Sequence, residues 1–409
     1  MFREKIFTMW EIIKEGTITS VPGFSAAGIH AGLKKRKKDL ALIYSELDCV
    51  AAGVFTTNKV VAAPVTICKD ILEKESGIRA VLVNSGNANS CTGERGYRDA
   101  LEMKNYCAEK LGVNESSVLI SSTGVIGEFL NMEKMREGIE TIVTKISKDG
   151  GEDAAEAILT TDKVVKQCSV KIKMGEREIN IGGMSKGSGM IMPNMATMLG
   201  FITTDADISK STLQKLIRSA SDKSFNRISV DGETSTNDMV LMLANGLSGV
   251  EVKEDTALYD IFSEALTAMC KVLAKAIVAD GEGATKFVTV FVNKAKSEAD
   301  ANKVAKAIAN SPLVKTAING QDANWGRIIS SVGMSGADFN PANVQIKFGE
   351  LPILEKNFEV VVDEEKAKEV LSEKEIVLDI NLNEGTCATE WWTCDYSEEY
   401  IKINAYYRT

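Results

Sequence analysis

Apolar residues along the chain follow two periods, one typical of strands and one typical of helices. Short apolar, β-branched runs at residues 80–83 and 118–120 each lead into a loop rich in Gly, Asn, Ser or Thr, which predicts strands that end in polar loops. Two further stripes recur at the three- and four-residue spacing of a helix face. They are Met135, Ile139, Ile142 and Ile146, and Leu213, Leu216, Ile217 and Ala220. Strands thus alternate with helices, and this mixture predicts stacked α/β layers.

The middle of the chain adds a hairpin and a second group of helices. Residues 169–181 alternate around a turn at Gly175, which predicts two antiparallel strands. Helices are predicted at about 257–279 and 297–310, on either side of a strand at 287–292.

The last third of the chain is predicted to be mainly strands. Residues 400–408 alternate strictly between apolar and polar positions, which predicts a strand with Asn404 on its more polar face. Neither a low-complexity linker nor an internal repeat divides the chain, and a smaller structural domain is predicted from about residue 280 onward.

Composition excludes several classes of protein. A length of 409 residues suits two or three domains, or one large α/β sandwich. Acidic residues outnumber basic ones by 57 to 48, and the basic run at residues 34–38 is short and isolated, so no nucleic-acid partner is predicted. The eight cysteines form no CxxC pair, and no metal site is predicted. The single histidine, His30, and the absence of a G-x-S-x-G segment weigh against an ordinary Ser-His-Asp hydrolase.

The chain also lacks the marks of a membrane or secreted protein. It has no apolar run of the roughly 18 to 20 residues that a membrane span requires, and its start lacks the apolar core of a signal peptide. We therefore expect a cytoplasmic protein with reduced thiols and no membrane partner. Residues 1–8, which precede Met9, are interpreted as an upstream extension.

A glycine-rich segment near mid-chain is the strongest candidate for chemistry. Residues 186–189 (KGSG) lead into residues 190–199 (MIMPNMATML), where a small residue, Ala196, precedes Thr197. A threonine hydroxyl in this position could attack the preceding carbonyl, form an ester, and leave Thr197 as a new N-terminus whose amine serves as a base. A methionine-rich core segment with an incidental threonine would give the same local pattern.

Other motifs connect this segment to a known family. They occur at residues 23–35, 83–93, 122–127, 160–162, 281–286 and 324–328. Together with residues 186–199, in this order, they resemble the glutamate N-acetyltransferase family of arginine biosynthesis, also called ornithine acetyltransferase. The resemblance spans nearly the whole chain.

The resemblance implies a fold and a processing event. The fold would be an α/β (α+β) layered α/β/β/α sandwich of the ornithine acetyltransferase and DmpA-like type, with a smaller C-terminal α/β domain. Self-cleavage between Ala196 and Thr197 would give an α chain of residues 1–196 and a β chain of residues 197–409. The two chains would stay packed together in an α2β2 assembly.

The resemblance also assigns catalytic and binding roles. Thr197 would be the nucleophile, with its own amine as base, and Thr123 and Gly124 would form the oxyanion hole. The substrate-binding positions carried over are Thr160, Lys186, Thr197, Glu282, Asn404 and Thr409.

Several of these positions also have an ordinary structural interpretation. Lys186 could meet a substrate carboxylate and Glu282 the ammonium group of ornithine, although a solvent-facing lysine and a surface turn would look alike in sequence. Thr123 and Gly124 also fit an ordinary polar turn. Thr161 competes with Thr160, while Asn404 and Thr409 are chosen by their distance from the chain end.

The predicted reaction is a ping-pong transfer of acetyl from N2-acetyl-L-ornithine to L-glutamate through acetyl-Thr197. Acetyl-CoA is a possible co-substrate, and no cofactor is expected. One alternative is an N-terminal-nucleophile aminopeptidase or amidase of the same fold, with water as the acceptor. Another is a non-catalytic protein that binds a small ligand and remains one chain.

Overall fold

Helices and strands alternate along most of the chain. The structure, a computed structural model, describes residues 8–74, 77–192 and 198–406. The strands within these ranges are β1 (Thr8–Ile13), β2 (Phe24–Ile29), β3 (Leu40–Phe55), β4 (Ile78–Asn87), β5 (Val118–Val125), β6 (Lys166–Met174), β7 (Arg177–Lys186), β8 (Leu199–Thr204), β9 (Ile228–Ser229), β10 (Met239–Ala244), β11 (Phe287–Ala295), β12 (Gln345–Phe348), β13 (Leu351–Glu355), β14 (Glu359–Val360), β15 (Glu375–Asn381) and β16 (Cys387–Cys394). The helices are α1 (Ala63–Glu73), α2 (Gly93–Leu111), α3 (Met132–Val143), α4 (Gly151–Ala157), α5 (Lys210–Asp222), α6 (Ala257–Ala279), α7 (Glu298–Ala309), α8 (Pro312–Asn319), α9 (Trp325–Gly333), α10 (Glu364–Ser372) and α11 (Glu398–Tyr406).

A nine-stranded sheet forms the larger part of the fold. Its order is β1-β6-β7-β8-β10-β3-β4-β5, with β2 paired to β3. The long strand β3 pairs with β10 through residues 50–55 and with β2 and β4 through residues 40–45. It therefore joins two halves of the sheet, one with β2, β4 and β5 and one with β1, β6, β7, β8 and β10.

Alternate residues of the inner strands face two different cores. Phe201 and Leu241 lie in a core that also holds β4 and β5, whereas Ile202 and Met242 lie in a core with α5 and α6. Because successive strand residues point to opposite faces, the half of the sheet with β8 and β10 packs on the other half through one face and on helices through the other face. Helices α1 and α2 contact β5, while α6 contacts β6 and β7 on the far side. The layers are helix, sheet, sheet and helix, and the predicted α/β/β/α sandwich is confirmed.

A second sheet and a third core occupy the C-terminal part. Seven strands in the order β14-β13-β12-β15-β11-β16-β9 form this sheet. Its core runs from Val288 to Trp391 and packs α7 and α10 on the sheet, with α9 against α7. The last strand, β9, comes from residues 228–229, so the two sheets are connected through a loop that follows α5.

Several of the predicted elements are confirmed. Helix α5 is capped by the Ser209 side chain, which accepts a hydrogen bond from the Thr212 amide, and its predicted apolar face is buried. Helices α6 and α7 and strand β11 match the predictions, and Ile146 alone falls beyond the end of its helix, α3. The predicted hairpin is β6 and β7, in which Gly175 adopts a φ of +64°. Strand β7 then continues to Lys186.

The prediction of a strand at residues 400–408 was wrong. Residues 398–406 form α11, with Glu398 and Glu399 in its first turn, where carboxylates favour a helix N-terminus. The alternation did not report burial, because Ile401 is 68% exposed and Tyr406 is 91% exposed. The wider prediction of mainly strands in the last third was also wrong, since α7 to α11 lie there. Of these helices α7 was predicted, whereas α8 to α11 have only eight or nine residues each, and their apolar stripes span too few turns to stand out in the sequence.

Candidate active site

One cleft lies where several elements of the sandwich end. It is bounded by the ends of β5 and β7, the loops after α4 and α6, and α11, and it encloses about 150 Å³. Six residues predicted to act in the site line it: Thr123, Gly124, Thr160, Lys186, Glu282 and Asn404. Ala196, Thr197 and Thr409 lie outside the described residues, and their roles stay predictions.

Thr123 and Gly124 end strand β5 at an irregularity in its pairing. Thr123 is opposite Ser85 and Asn87 of β4, and Gly124 is opposite Gly86. Gly124 has a φ of +133°, and a Cβ at this position would lie 2.3 Å from the Gly86 carbonyl carbon. Glycine is therefore required here, because both the backbone conformation and the close approach exclude a side chain. Both residues of this turn line the cleft.

Asparagine side chains hold this turn from behind. Asn237 Nδ2 donates to the carbonyl oxygens of Ala88 at 2.6 Å and Ser122 at 2.9 Å. Asn84 Nδ2 donates to the Asn87 carbonyl at 2.9 Å, and its Oδ1 accepts from Ser122 Oγ at 2.6 Å. Since these groups are buried and satisfied, the irregular turn is fixed in one geometry.

Lys186 and Thr160 meet at the other side of the cleft. The Lys186 ammonium lies 3.7 Å from an Asp162 oxygen, and the same oxygen accepts the Thr160 amide at 3.1 Å. Burial would raise the pKa of the Asp162 carboxyl, but the Lys186 and Lys166 ammonium groups bring that pKa well below its usual range. Asp162 is therefore a carboxylate at neutral pH. Thr161, the alternative to Thr160, also lines the cleft.

Glu282 and Asn404 form a contact between the loop after α6 and helix α11. Asn404 Nδ2 donates to Glu282 Oε2 at 2.9 Å, and the Glu282 amide donates to the Ser188 carbonyl at 2.9 Å. A Cβ on Gly189 would lie 2.4 Å from the Glu282 carboxyl, so this glycine leaves room for the acidic side chain. Glu282 is only 5% exposed. The cleft thus holds a carboxylate as well as the Lys186 cation.

Asp231 fixes the chain just before the proposed cleavage point. Its carboxylate accepts the amides of Met190 at 2.6 Å and Ile191 at 2.7 Å. The Met192 amide donates to the Glu233 carbonyl at 2.9 Å. Burial raises the pKa of Asp231, with the amide hydrogen bonds opposing that shift. Residues 190–192 are therefore tied to the loop that contains Asp231.

Sequence reasoning missed four residues of this site: Asp162, Asp231, Asn237 and Tyr400. Asp162 closes the Thr160–Asp162 motif and could have been assigned from it. Asp231 and Asn237 lie in a polar run between two buried strands, which is the usual signal of a functional loop. Tyr400 lines the cleft from α11 and was missed because a strand was predicted there.

The cleft can recognise a small molecule with both a carboxylate and an ammonium group. It is lined by a lysine, a buried glutamate, and a Thr-Gly pair, whose hydroxyl and backbone amide are the types of donor that can stabilise a developing oxyanion. In the described part of the chain, no group of three or more His, Cys, Asp and Glu side chains could hold a metal ion. No helix there is long and apolar enough to cross a bilayer.

Comparison with known proteins decides the family. A family model named ArgJ matches residues 25–409. The chain belongs to the ArgJ family. It is thus an acetyltransferase of arginine biosynthesis, and the predicted resemblance and the prediction of an enzyme are confirmed. The alternative of a non-catalytic binding protein is excluded.

Relatives within the ArgJ family match the chain almost end to end. The arginine biosynthesis bifunctional protein ArgJ of Symbiobacterium thermophilum is 48% identical over 96% of this chain and 99% of its own. The protein of that name from Thermotoga neapolitana is 49% identical over 95% of this chain and 99% of its own.

Among solved structures, the ornithine acetyltransferase of Mycobacterium tuberculosis in complex with ornithine is 38% identical, over 46% of this chain and 99% of that chain, with a TM-score of 0.43.

Proposed function

We propose that the chain transfers an acetyl group from N2-acetyl-L-ornithine to L-glutamate, in two half-reactions through an acetyl-threonine. The observation that carries this proposal is the convergence of Thr123, Gly124, Lys186 and Glu282 on one cleft in an ArgJ family member. Both substrates carry an α-carboxylate and an ammonium group, which suit a lysine and a glutamate respectively.

In the proposed first half-reaction the Thr197 hydroxyl attacks the acetyl carbonyl of N-acetylornithine. The hydroxyl proton passes to the free amine of Thr197, whose ordinary pKa of about 7.7 to 8 suits a base near neutral pH. The Thr123 hydroxyl and the Gly124 amide stabilise the negative oxygen of the tetrahedral intermediate. The C–N bond between the acetyl group and ornithine then breaks. The departing ornithine nitrogen takes the proton from the Thr197 ammonium, and ornithine leaves. In the second half-reaction the amine of glutamate attacks the acetyl-Thr197 ester by the reverse of these steps, and N-acetylglutamate leaves.

A free amine on Thr197 requires cleavage of the precursor. We propose that the Thr197 hydroxyl attacks the Ala196 carbonyl, so that an ester forms as the Ala196–Thr197 C–N bond breaks and the freed amine takes the hydroxyl proton. Water then opens the ester, which restores the hydroxyl, leaves a carboxylate on Ala196 and separates residues 1–196 from residues 197–409. Lys186 lies on the first of these chains and Glu282 on the second, so the cleft needs both. We further propose an α2β2 assembly of the two chains.

The donor and the compartment complete the proposal. Acetyl-CoA is proposed as a second donor, without any bound cofactor. The enzyme is proposed to act in the cytoplasm, where cell fractionation with an antibody against the chain would find it. Acetylation of glutamate by acetyl-CoA alone, followed by mass spectrometry, tests the second donor.

An assay with N-acetylornithine, with and without glutamate, tests the transfer reaction. We expect N-acetylglutamate and ornithine in equal amounts when glutamate is present, and little ornithine when it is absent. Ornithine release at the same rate without glutamate would instead support the amidase alternative, in which water is the acceptor.

Glu282→Gln is expected to raise the KM for N-acetylornithine by about 10- to 100-fold, the usual effect of losing a hydrogen bond to a charged group. Glutamine keeps the shape and can still accept from Asn404, so the change removes mainly the charge that attracts the side-chain ammonium. The KM for glutamate, which has no side-chain ammonium, should change less. Steady-state kinetics with each substrate varied would measure both values.

Glu264→Gln is the matched control, because Glu264 is exposed on α6. It should leave both KM values unchanged. Equal KM values for N-acetylornithine in wild type and Glu282→Gln would contradict the role of Glu282.

Asp231→Ala is expected to slow cleavage of the precursor by about tenfold or more. The amides of residues 190 and 191 would lose their acceptor, and this part of the chain would no longer be anchored. The fraction of uncut chain after synthesis in a cell-free system, followed by gel electrophoresis over time, measures the rate. Asp149→Ala, at an exposed position, should be cut at the wild-type rate. Cleavage of Asp231→Ala at that same rate would show that the anchor is dispensable.

A further inference from the structure

Four charged side chains form a buried cluster behind the cleft. Lys166 Nζ lies 2.7 Å from Asp162 Oδ1 and 2.7 Å from Asp280 Oδ2, and Lys186 Nζ lies 3.7 Å from Asp162 Oδ2. The side chains of Lys166 and Asp162 are completely buried. Lys186 reaches the cleft, whereas Asp162, Lys166 and Asp280 are not among the residues that line it.

The charges in this cluster balance, and each carboxylate also holds backbone. Two ammonium groups face two carboxylates, which a buried site requires because an unpaired charge is costly there. Asp162 accepts the amides of Thr160 at 3.1 Å and Gly187 at 2.7 Å. Asp280 accepts the Lys163 amide at 2.9 Å. The cluster therefore fixes the backbone at residues 160–163 and at Gly187 as well as the lysines.

The distances distinguish the two lysines. Lys166 forms close hydrogen bonds with both carboxylates, while Lys186 is beyond hydrogen-bond distance of Asp162 and donates no hydrogen bond to another described residue. Asp162 thus attracts the Lys186 ammonium without occupying its donors. An ammonium held in place with free donors is suited to bind a carboxylate that arrives in the cleft.

We propose that Asp162 is a positioning residue that presents Lys186 to the α-carboxylate of the substrate, with Lys166 and Asp280 as its counter-charges. This inference rests on the proposed function, in which Lys186 binds that carboxylate. Asp280 follows the proposed cleavage point and Asp162 precedes it, so the cluster also joins the two proposed chains. Lys186 is then correctly placed only when both chains are together.

The experiment compares N-acetylornithine with its carboxamide as donors, at saturating glutamate, in wild type and Asp162→Asn. We expect the ratio of kcat/KM for the acid to kcat/KM for the amide to fall by about 10- to 100-fold, by analogy with the effect of removing a partner that orients a metal-ligating side chain. The change should lie mainly in the KM for the acid. A role only in folding would lower kcat/KM equally for both donors and leave the ratio unchanged. An unchanged ratio would therefore overturn the proposal.

Asp153→Asn is the matched control, because this exposed carboxylate pairs with Lys38 at 2.5 Å on the surface. It should leave the ratio at the wild-type value. If Asp162→Asn does not fold, Asp280→Asn tests the cluster from its other end, with a smaller fall in the ratio expected and an unchanged ratio again contradicting the proposal. Absence of transfer in wild type would defeat the proposed function itself, whereas wild-type transfer with unchanged ratios in the variants would defeat the positioning role alone.

Discussion

A Thr197→Ala chain is expected to remain a single uncut polypeptide and to lose acetyl transfer by about 10,000-fold or more, as enzymes do when their nucleophile is removed. Alanine cannot attack the Ala196 carbonyl, and the uncut chain provides neither the hydroxyl nor the free amine. Intact mass under denaturing conditions, with N-terminal sequencing, measures the cleavage. In wild type we expect two fragments, the second of which begins at Thr197.

Two control variants make this result specific. Thr197→Ser keeps a hydroxyl and should still be cut, although at a different rate. Thr141→Ala, on the exposed face of α3, should be cut and active like wild type. An intact wild-type chain that transfers acetyl would contradict the whole processing account, because every role given to the Thr197 amine depends on cleavage.

The second large effect is expected at the proposed oxyanion hole. Thr123→Ala should lower kcat by about 100- to 1,000-fold, equivalent to about 2.7 to 4 kcal/mol of transition-state stabilisation, because one of two donors to the developing oxyanion is lost. The KM for both substrates should change little, since the donor acts mainly in the transition state. Steady-state kinetics, expressed per processed chain, measures these values.

Thr123→Ser is the matched control, since it keeps the hydroxyl on the same backbone. Its kcat should lie much closer to the wild-type value than that of Thr123→Ala. If Thr123→Ala keeps a wild-type kcat and only its KM rises, Thr123 binds the ground state and is not an oxyanion donor.

Much of the fold followed from residue periodicity. The stripe on α5 and the hairpin of β6 and β7 were predictable because their apolar residues recur with the period of the helix or strand, and these residues are the buried ones. The path of β3 was not predictable, because its passage between the two halves of the sheet depends on partners far away in the chain. At α11 the alternation misled, because its apolar positions are exposed and period two carried no information about burial.

The site was predictable where motifs lie at the ends of elements. Thr123, Lys186 and Glu282 come from three distant motifs, and the fold brings all three to one cleft. The anchoring role of Asp231 could not be predicted, because its carboxylate binds the amides of residues 190 and 191 through a contact that only the folded chain creates. The loose pairing of Lys186 with Asp162 is likewise a matter of distance, which sequence does not contain.

Trapping the acetylated enzyme tests the central claim most directly. Processed wild-type protein is mixed with N-acetylornithine in the absence of glutamate, quenched in acid, digested and examined by mass spectrometry. We predict one acetyl group on the peptide that begins at Thr197, and its loss with formation of N-acetylglutamate when glutamate is added before the quench. An unmodified Thr197 peptide during turnover, or an acetyl group lost equally fast to water without glutamate, would contradict transfer through acetyl-Thr197.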